Sequence, residues 1–260
     1  MKLDEPRRFT RYEVKDHIAR LTLARAEKRN ALNRQMRKEV QAAFYDVQTN
    51  PEAWICIVDA EGEVFCSGKD LLEPRNPEAE DGLVMSNDDL FLYQRNIYKP
   101  FIIAADGPCL AQGAGFALSS DIVIMTERAS IGWPQVRRGI SSVSGPSQGL
   151  HALPWQAGMG FLLRGKFVSA QDALRFGICN EITTREDLLP CAYRWAAEIL
   201  ESAPLAVQAI KEAGRRTQDL ALEPRMRLAR DIANRVLLSD DAKEGIAAFK
   251  EKRRPAWKGR

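Results

Sequence analysis

Short apolar runs alternate with helical patterns along the first two thirds of the chain. Trp54 to Val58 and Phe101 to Ala105 are continuous apolar runs, which predict strands covered on both faces. Asn33 is predicted to cap a helix from about Arg34 to Thr49, where apolar residues recur at helical spacing. Tyr12 to Leu23 predicts a pair of strands. Strands that alternate with helices favour a parallel sheet, so the pattern indicates an α/β core.

A glycine-rich stretch follows the Phe101–Ala105 run. Residues 106–108 predict a tight turn, residues 109–116 are small or apolar apart from Gln112, and Asp121 to Met125 predicts the next strand. A helix that begins at a glycine presents free backbone N–H groups and the positive end of its dipole. Such groups can stabilise an oxygen that gains negative charge, whereas close helix–strand packing is the commoner reason for glycines in such a place. A second glycine-flanked turn ends near Gly68.

The remaining chain divides into loops and a helical tail. Residues 73–89 are rich in Pro, Asn, Asp and Glu and predict a long acidic loop. Serines and glycines over 136–146 predict a polar loop, and Ser169 is a predicted N-cap. Helices are predicted over 188–202, 205–218, 224–239 and 240–252. We therefore expect an α/β core over 1–195 and a helical region over 196–260.

The amino-acid composition of the chain excludes several classes of protein function. A net charge of +3 without a basic block does not indicate a nucleic-acid partner, and no apolar run is long enough for a membrane span. The first eight residues lack the apolar core of a signal peptide. Five cysteines without a Cys-x-x-Cys pair favour reduced thiols in a cytoplasmic protein, and two histidines exclude a multi-histidine metal site.

Several motifs, taken in order, resemble those of the crotonase superfamily, the enoyl-CoA hydratase/isomerase family. They are Arg25–Leu32, Phe65–Leu71, Asp106–Gly115 with Ser120-Asp121, Gly165–Ala173 and Glu251–Trp257. The resemblance implies a crotonase-like spiral of repeated ββα units with a C-terminal helical region that builds homotrimers, often paired into hexamers. It also implies an acyl-CoA thioester as substrate, with coenzyme A as part of that substrate and no separate cofactor.

The resemblance also implies site residues. Two backbone N–H groups, mapped to Lys69 and Gly113, would hold the thioester oxygen while an enolate forms. Lys28 and Arg29 would line the ADP end of coenzyme A, although a solvated basic turn explains them equally well. In the second glycine turn, Ser67, Asp70 and Leu71 are further expected contacts of coenzyme A.

Two departures from the family pattern leave the reaction open. Hydratases of this family resemble one another in two glutamates, and the matching positions here are Gly115 and Gln135. Neither residue can exchange a proton near neutral pH, and Ser142-Val143-Ser144 adds no carboxylate.

Three interpretations therefore remain: an acyl-CoA enzyme of altered chemistry, a conventional hydratase or isomerase with a replacement base, and a non-catalytic acyl-CoA-binding or scaffold protein. In the first, Gln135 would orient a water. Glu61, Tyr98 and His151 are candidate replacements, each with a plausible structural role instead. Residues 137 and 138, both arginine, are either solvated or meet an anionic acyl group.

Overall fold

A computed structural model describes residues 6–73 and 84–260 and shows two sheets surrounded by helices. The strands are β1 Thr10–Lys15, β2 Ile18–Leu23, β3 Ile55–Ala60, β4 Phe101–Ala105, β5 Pro108–Leu110, β6 Ile122–Thr126, β7 Ser130–Gly132, β8 Phe167–Ser169 and β9 Glu181–Thr183. The helices are α1 Arg34–Thr49, α2 Asn87–Asn96, α3 Gln112–Ser119, α4 Ser144–Ala152, α5 Trp155–Arg164, α6 Ala170–Arg175, α7 Leu188–Leu200, α8 Pro204–Thr217, α9 Leu222–Leu237 and α10 Asp240–Glu251. A 3-10 helix occupies Pro134–Arg138.

From β4 to β7, successive strands belong alternately to the large sheet and to the small sheet. The large sheet has the order β1-β2-β3-β4-β6-β9, and the small sheet has the order β5-β7-β8. β1 and β2 form an antiparallel pair, and the other neighbours in the large sheet are parallel. After β4 the chain crosses to the small sheet as β5 and then enters α3; after β6 it crosses again as β7. This arrangement confirms the predicted crotonase-like fold and its parallel pairing.

Strand β4 shows why its sequence is apolar throughout. Phe101, Ile103 and Ala105 belong to the core that includes buried residues of α1, α2 and α3. Ile102 and Ala104 point to the opposite core, where α7 contributes residues such as Ala192. Because side chains alternate between faces along a strand, only a continuous apolar run satisfies both layers. The predicted two-sided burial is thus confirmed.

Several predicted helix ends are confirmed, and others shift. Asn33 caps α1 by accepting a hydrogen bond from the Met36 N–H at 2.9 Å, and Ser169 caps α6. The polar loop expected over 136–146 is wrong at both ends, because the 3-10 helix runs to Arg138 and α4 begins at Ser144.

Of the acidic loop expected over 73–89, residues 74–83 lie outside the described residues, and 87–89 are helical instead. The cause is Ser86, whose Oγ accepts the Asp89 N–H at 3.1 Å and so starts α2 three residues earlier than the sequence suggested.

The C-terminal part is helical, as predicted. Helix α7 packs on the large sheet through Leu188, Cys191, Ala192 and Ala196, so the boundary predicted at 195 falls inside this helix. The division into 1–195 and 196–260 stays a prediction. All five cysteines are free thiols, as expected. No helix within 6–73 and 84–260 is long and apolar enough to cross a membrane.

Candidate active site

Several of the predicted site residues line one cavity of about 540 Å³, here called the central cavity. Its walls come from the Gly68 turn, the junction between β5 and α3, and the Pro134–Arg138 helix, with Phe167 of β8 at one side. Apolar side chains such as Val64 and Leu110 lie beside polar ones such as Ser142. A mostly apolar cleft with a few converging polar groups is the usual form of a ligand site.

The Gly68 turn is held by backbone hydrogen bonds to the preceding loop. The Leu32 N–H donates to the Gly68 carbonyl at 2.8 Å, and the Ser67 N–H donates to the Arg29 carbonyl at 3.0 Å. Gly68 has φ +104°, a conformation that favours glycine. These bonds fix the direction of the next N–H, that of Lys69, which donates to Gln112 Oε1 at 2.8 Å.

The β5–α3 junction contains the strained residue of the site. Ala111 adopts φ 50° and ψ −111°, where a residue with a side chain is strained by about 1–3 kcal/mol. The Ala111 N–H donates to the Gly132 carbonyl at 2.8 Å, and the Leu110 N–H donates to the Cys66 carbonyl at 2.8 Å. This sharp bend starts α3 at Gln112, whose side chain accepts the hydrogen bond from the Gly68 turn.

The structure brings five of the eight predicted residues to the central cavity, namely Arg29, Ser67, Lys69, Leu71 and Gln135. The other three lie elsewhere.

Gly113 is buried behind the wall, where an added Cβ would lie 2.6 Å from the Cys66 carbonyl oxygen, and Gln112 takes its place at the surface of the cavity. Asp70 turns away and pairs with the guanidinium of Arg25 at 2.8 Å, which holds the pKa of the Asp70 carboxyl below its ordinary value. Lys28 is exposed and is not part of the lining.

The two departures from the family pattern have different structural consequences. At Gly115 an added Cβ would collide with the ring of Phe91, which is fully buried on α2. Gln135 lines the central cavity, and its Oε1 is buried without a hydrogen-bond partner among the described residues. An unpaired buried acceptor is costly, so this oxygen is suited to a donor from a ligand or a water.

The structure also shows groups that the sequence interpretation missed. Asp88 supplies a carboxylate to the wall of the central cavity, and Gln112 supplies the carbonyl that covers the Lys69 N–H. The signal for Asp88 was the spacing Ser86-x-x-Asp89, which starts a helix at 87 and places residue 88 on its first turn. The candidate replacements Glu61, Tyr98 and His151 are not among the residues that line this cavity.

Charge in the cavity is mixed, with cations in excess. Arg29, Lys69 and Arg138 line it together with Asp88. Two buried thiols lie beneath the same turns. Burial raises the pKa of the Cys66 thiol to about 12 and raises the pKa of the Cys109 thiol as well, so neither supplies a thiolate nucleophile. Within the described part of the chain, no three His, Cys, Asp or Glu residues are placed to hold a metal ion.

A second, larger cavity of about 840 Å³ lies between α7, α8 and the beginnings of β4 and β6 in the large sheet. Its wall combines aliphatic residues such as Ile199 and Val207 with charged ones such as Lys211, and neither glycine turn contributes to it. The central cavity, which holds the predicted site residues, is therefore the candidate active site.

Comparison with known protein families decides the assignment. The model of the family described as enoyl-CoA hydratase/isomerase matches residues 13–260. The chain belongs to the enoyl-CoA hydratase/isomerase family. This finding confirms the resemblance to the crotonase superfamily that the five motifs indicated.

Individual members of the enoyl-CoA hydratase/isomerase family support the same placement. A carnitinyl-CoA dehydratase of Proteus mirabilis is 36% identical over 90% of this chain and 92% of that protein. An (E)-benzylidenesuccinyl-CoA hydratase of Thauera aromatica is 30% identical over 95% of this chain and 98% of that protein.

Solved structures of the family superpose over nearly the whole chain. An enoyl-CoA hydratase/isomerase from Mycobacterium paratuberculosis has a TM-score of 0.88 at 32% identity, covering 98% of this chain and all of that one. An enoyl-CoA hydratase from Bacillus anthracis has a TM-score of 0.91 at 26% identity, covering 97% of this chain and 100% of that one. The helical C-terminal region is part of this agreement.

Proposed function

We propose that this protein is an acyl-CoA enzyme that stabilises a thioester enolate with backbone N–H groups in the central cavity. One observation carries the proposal. The Lys69 N–H already holds a carbonyl-type oxygen, Gln112 Oε1, at 2.8 Å. A thioester oxygen has the same acceptor geometry, so it would occupy this position once the Gln112 side chain rotates away.

The second donor belongs to the first turn of α3. The N–H groups of Gln112 and Gly113 have no hydrogen-bond partner among the described residues, as expected for the start of a helix. The sequence pointed to Gly113, but Gln112 is the residue at the cavity surface. We therefore propose the Gln112 N–H as the partner of Lys69. Two fixed donors of this kind stabilise an oxyanion strongly, and losing one typically costs about 3 kcal/mol of barrier.

The cationic side of the cavity is proposed to bind the phosphates of coenzyme A. Arg29 and Lys69 lie at its wall, and Lys28 precedes Arg29 in the same exposed turn. Guanidinium and ammonium groups are the usual partners of phosphate oxygens. The relatives named above as CoA-thioester dehydratase and hydratase support the same class of ligand. In this proposal coenzyme A arrives as part of the substrate.

Ordinary hydration of an enoyl-CoA is not expected to be efficient. Gly115 has no ionisable group, its space is filled by Phe91, and Gln135 is a neutral amide. Gln135 is proposed to hold a water or a donor group of the acyl chain through its unpaired Oε1. The same two residues favour the second candidate function, a non-catalytic acyl-CoA-binding or scaffold protein of this fold.

Two assays on one preparation test the proposal. We expect acyl-CoA esters to raise the melting temperature, and hydration of crotonyl-CoA to run far below a typical turnover of about 10 per second. Turnover near that rate would refute the claim of altered chemistry. Absence of any thermal shift with CoA esters would refute acyl-CoA binding and would favour the scaffold function.

A further inference from the structure

One carboxylate reaches the central cavity from outside the two positions, 115 and 135, that match the glutamates of the family's hydratases. Asp88 stands in the first turn of α2 and lines the cavity together with Gln112 and Lys69. No other Asp or Glu of the described residues lines it. No hydrogen bond or ion pair joins the Asp88 carboxylate to the residues that the structure describes, so this side chain is not committed to a structural bond.

The packing of α2 against α3 sets the position of this carboxylate. At the far end, Gln94 Nε2 donates to the Ser120 Oγ at 2.8 Å and to the Phe116 carbonyl at 3.3 Å. One turn earlier, the Phe91 ring packs edge-on to Phe116, with centroids 5.1 Å apart, and also covers Gly115. The two helices therefore run in the same direction, and one further turn back brings residue 88 to the start of α3.

Asp88 and Phe91 lie on the same face of α2, because residues three apart on a helix are neighbours. One face of α2 therefore carries both the Phe91 ring, which fills the space at Gly115, and the Asp88 carboxylate, which lines the cavity. A glutamate on α3 at position 115 would need the volume that Phe91 occupies. The packing of α2 on α3 thus fills the space at position 115 and places Asp88 at the cavity wall.

We propose that Asp88 is the catalytic base that removes the C2 proton of the acyl-CoA substrate, an inference that rests on the proposed function. In this step the carboxylate forms an O–H bond as the C2–H bond breaks. The electron pair of that bond becomes the enolate, whose oxygen is held by the N–H groups of Lys69 and Gln112. Return of the proton from Asp88 to carbon closes the cycle without any further reactant.

Exchange of the C2 hydrogens of butyryl-CoA in deuterated water tests this step, because a saturated thioester can undergo proton removal and return but no hydration. We expect the wild-type protein to incorporate deuterium at C2. Asp88→Asn should lower the exchange rate at least about 100-fold, which is the usual contribution of a positioned base, with butyryl-CoA affinity changed less than threefold. Asp88→Glu should restore part of the rate.

Asp240→Asn is the matched control, since Asp240 also follows a serine N-cap in the first turn of its helix and is exposed. It should leave exchange unchanged. Equal exchange in wild-type and Asp88→Asn would overturn the role of Asp88. Butyryl-CoA binding without wild-type exchange would also overturn it while leaving acyl-CoA binding in place, whereas failure of the wild type to bind butyryl-CoA would remove the proposed function itself.

Discussion

At the scale of single residues, the candidate site depends on which oxygen accepts the hydrogen bond from the Lys69 N–H. Gln112 Oε1 holds this donor in the structure. Gln112 follows Ala111, whose backbone is strained at φ 50° and ψ −111°. Under the proposed function, the Gln112 side chain and the substrate oxygen therefore compete for the Lys69 N–H.

Replacing Gln112 by alanine should therefore tighten acyl-CoA binding. A neutral hydrogen bond contributes about 1 kcal/mol, so removing the competitor should lower the Kd of butyryl-CoA about fivefold, measured by calorimetry. Gln171→Ala, a change at an exposed glutamine in the first turn of α6, is the control and should have no effect. Weaker binding by Gln112→Ala would mean that the side chain assists the ligand.

Asp70 gives a pH-dependent prediction for stability. The hydrogen bond from buried Arg25 lowers the pKa of the Asp70 carboxyl below 3.8, so its stabilising contribution is complete above that pH and is lost as the pH falls through the lowered value. Asp70→Asn should lower the free energy of unfolding by about 2 kcal/mol at pH 7. Urea titrations should show this difference shrinking below pH 3.8. A difference that is constant with pH would contradict the assignment of the ion pair.

At the scale of elements, α2 and α3 determine what chemistry position 115 can support. The glycine there is a packing residue for Phe91, so restoring a glutamate does not restore the family's acid–base group.

The apolar strands, the N-cap of α1 and the C-terminal helices could be predicted from the sequence, because the local spacing of residues encodes them. The start of α2 was not, because the acidic composition of 73–89 concealed the cap at Ser86.

Gly115→Glu should therefore destabilise the protein by about 3 kcal/mol or more, since it overpacks a filled core and buries a carboxylate. We expect no gain in crotonyl-CoA hydration. Gly214→Glu is the matched control, because Gly214 lies on α8 with open space around its Cα. Thermal unfolding compares the two variants. A stable Gly115→Glu protein that hydrates crotonyl-CoA would show that Phe91 moves aside and that the packing argument is wrong.

At the scale of the whole molecule, the helical region carries large exposed apolar side chains. Leu238 on the α9–α10 connection is 80% exposed and Phe249 on α10 is 86% exposed, and Leu222 and Leu237 of α9 are also exposed. We expect these side chains to contribute to association, because the family resemblance implied a trimer or hexamer. Those oligomeric states remain predictions for this chain.

Light scattering should accordingly give a mass of three or six chains of 29.2 kDa each. The double variant Leu238→Glu and Phe249→Glu should dissociate the assembly if these side chains lie at the interface. A monomeric wild-type protein at the concentrations used for catalysis would contradict the prediction.

Sequence reasoning could place the central cavity only approximately. The glycine turns and their motifs can be recognised along the chain, and these motifs predicted Lys69 and Gln135, both of which line the cavity. The contribution of Gln112 depends on one side-chain hydrogen bond across 43 positions, and that of Asp88 depends on how two helices pack. Neither relation leaves a periodic signal in the sequence.

The infrared spectrum of butyryl-CoA labelled with carbon-13 at the thioester carbonyl tests directly whether two backbone N–H groups hold the thioester oxygen. We predict that the carbonyl stretch shifts to lower frequency on binding, because two backbone N–H groups withdraw electron density from the C=O bond. A bound thioester whose carbonyl frequency equals that in water would contradict the central claim that Lys69 and the start of α3 hold this oxygen.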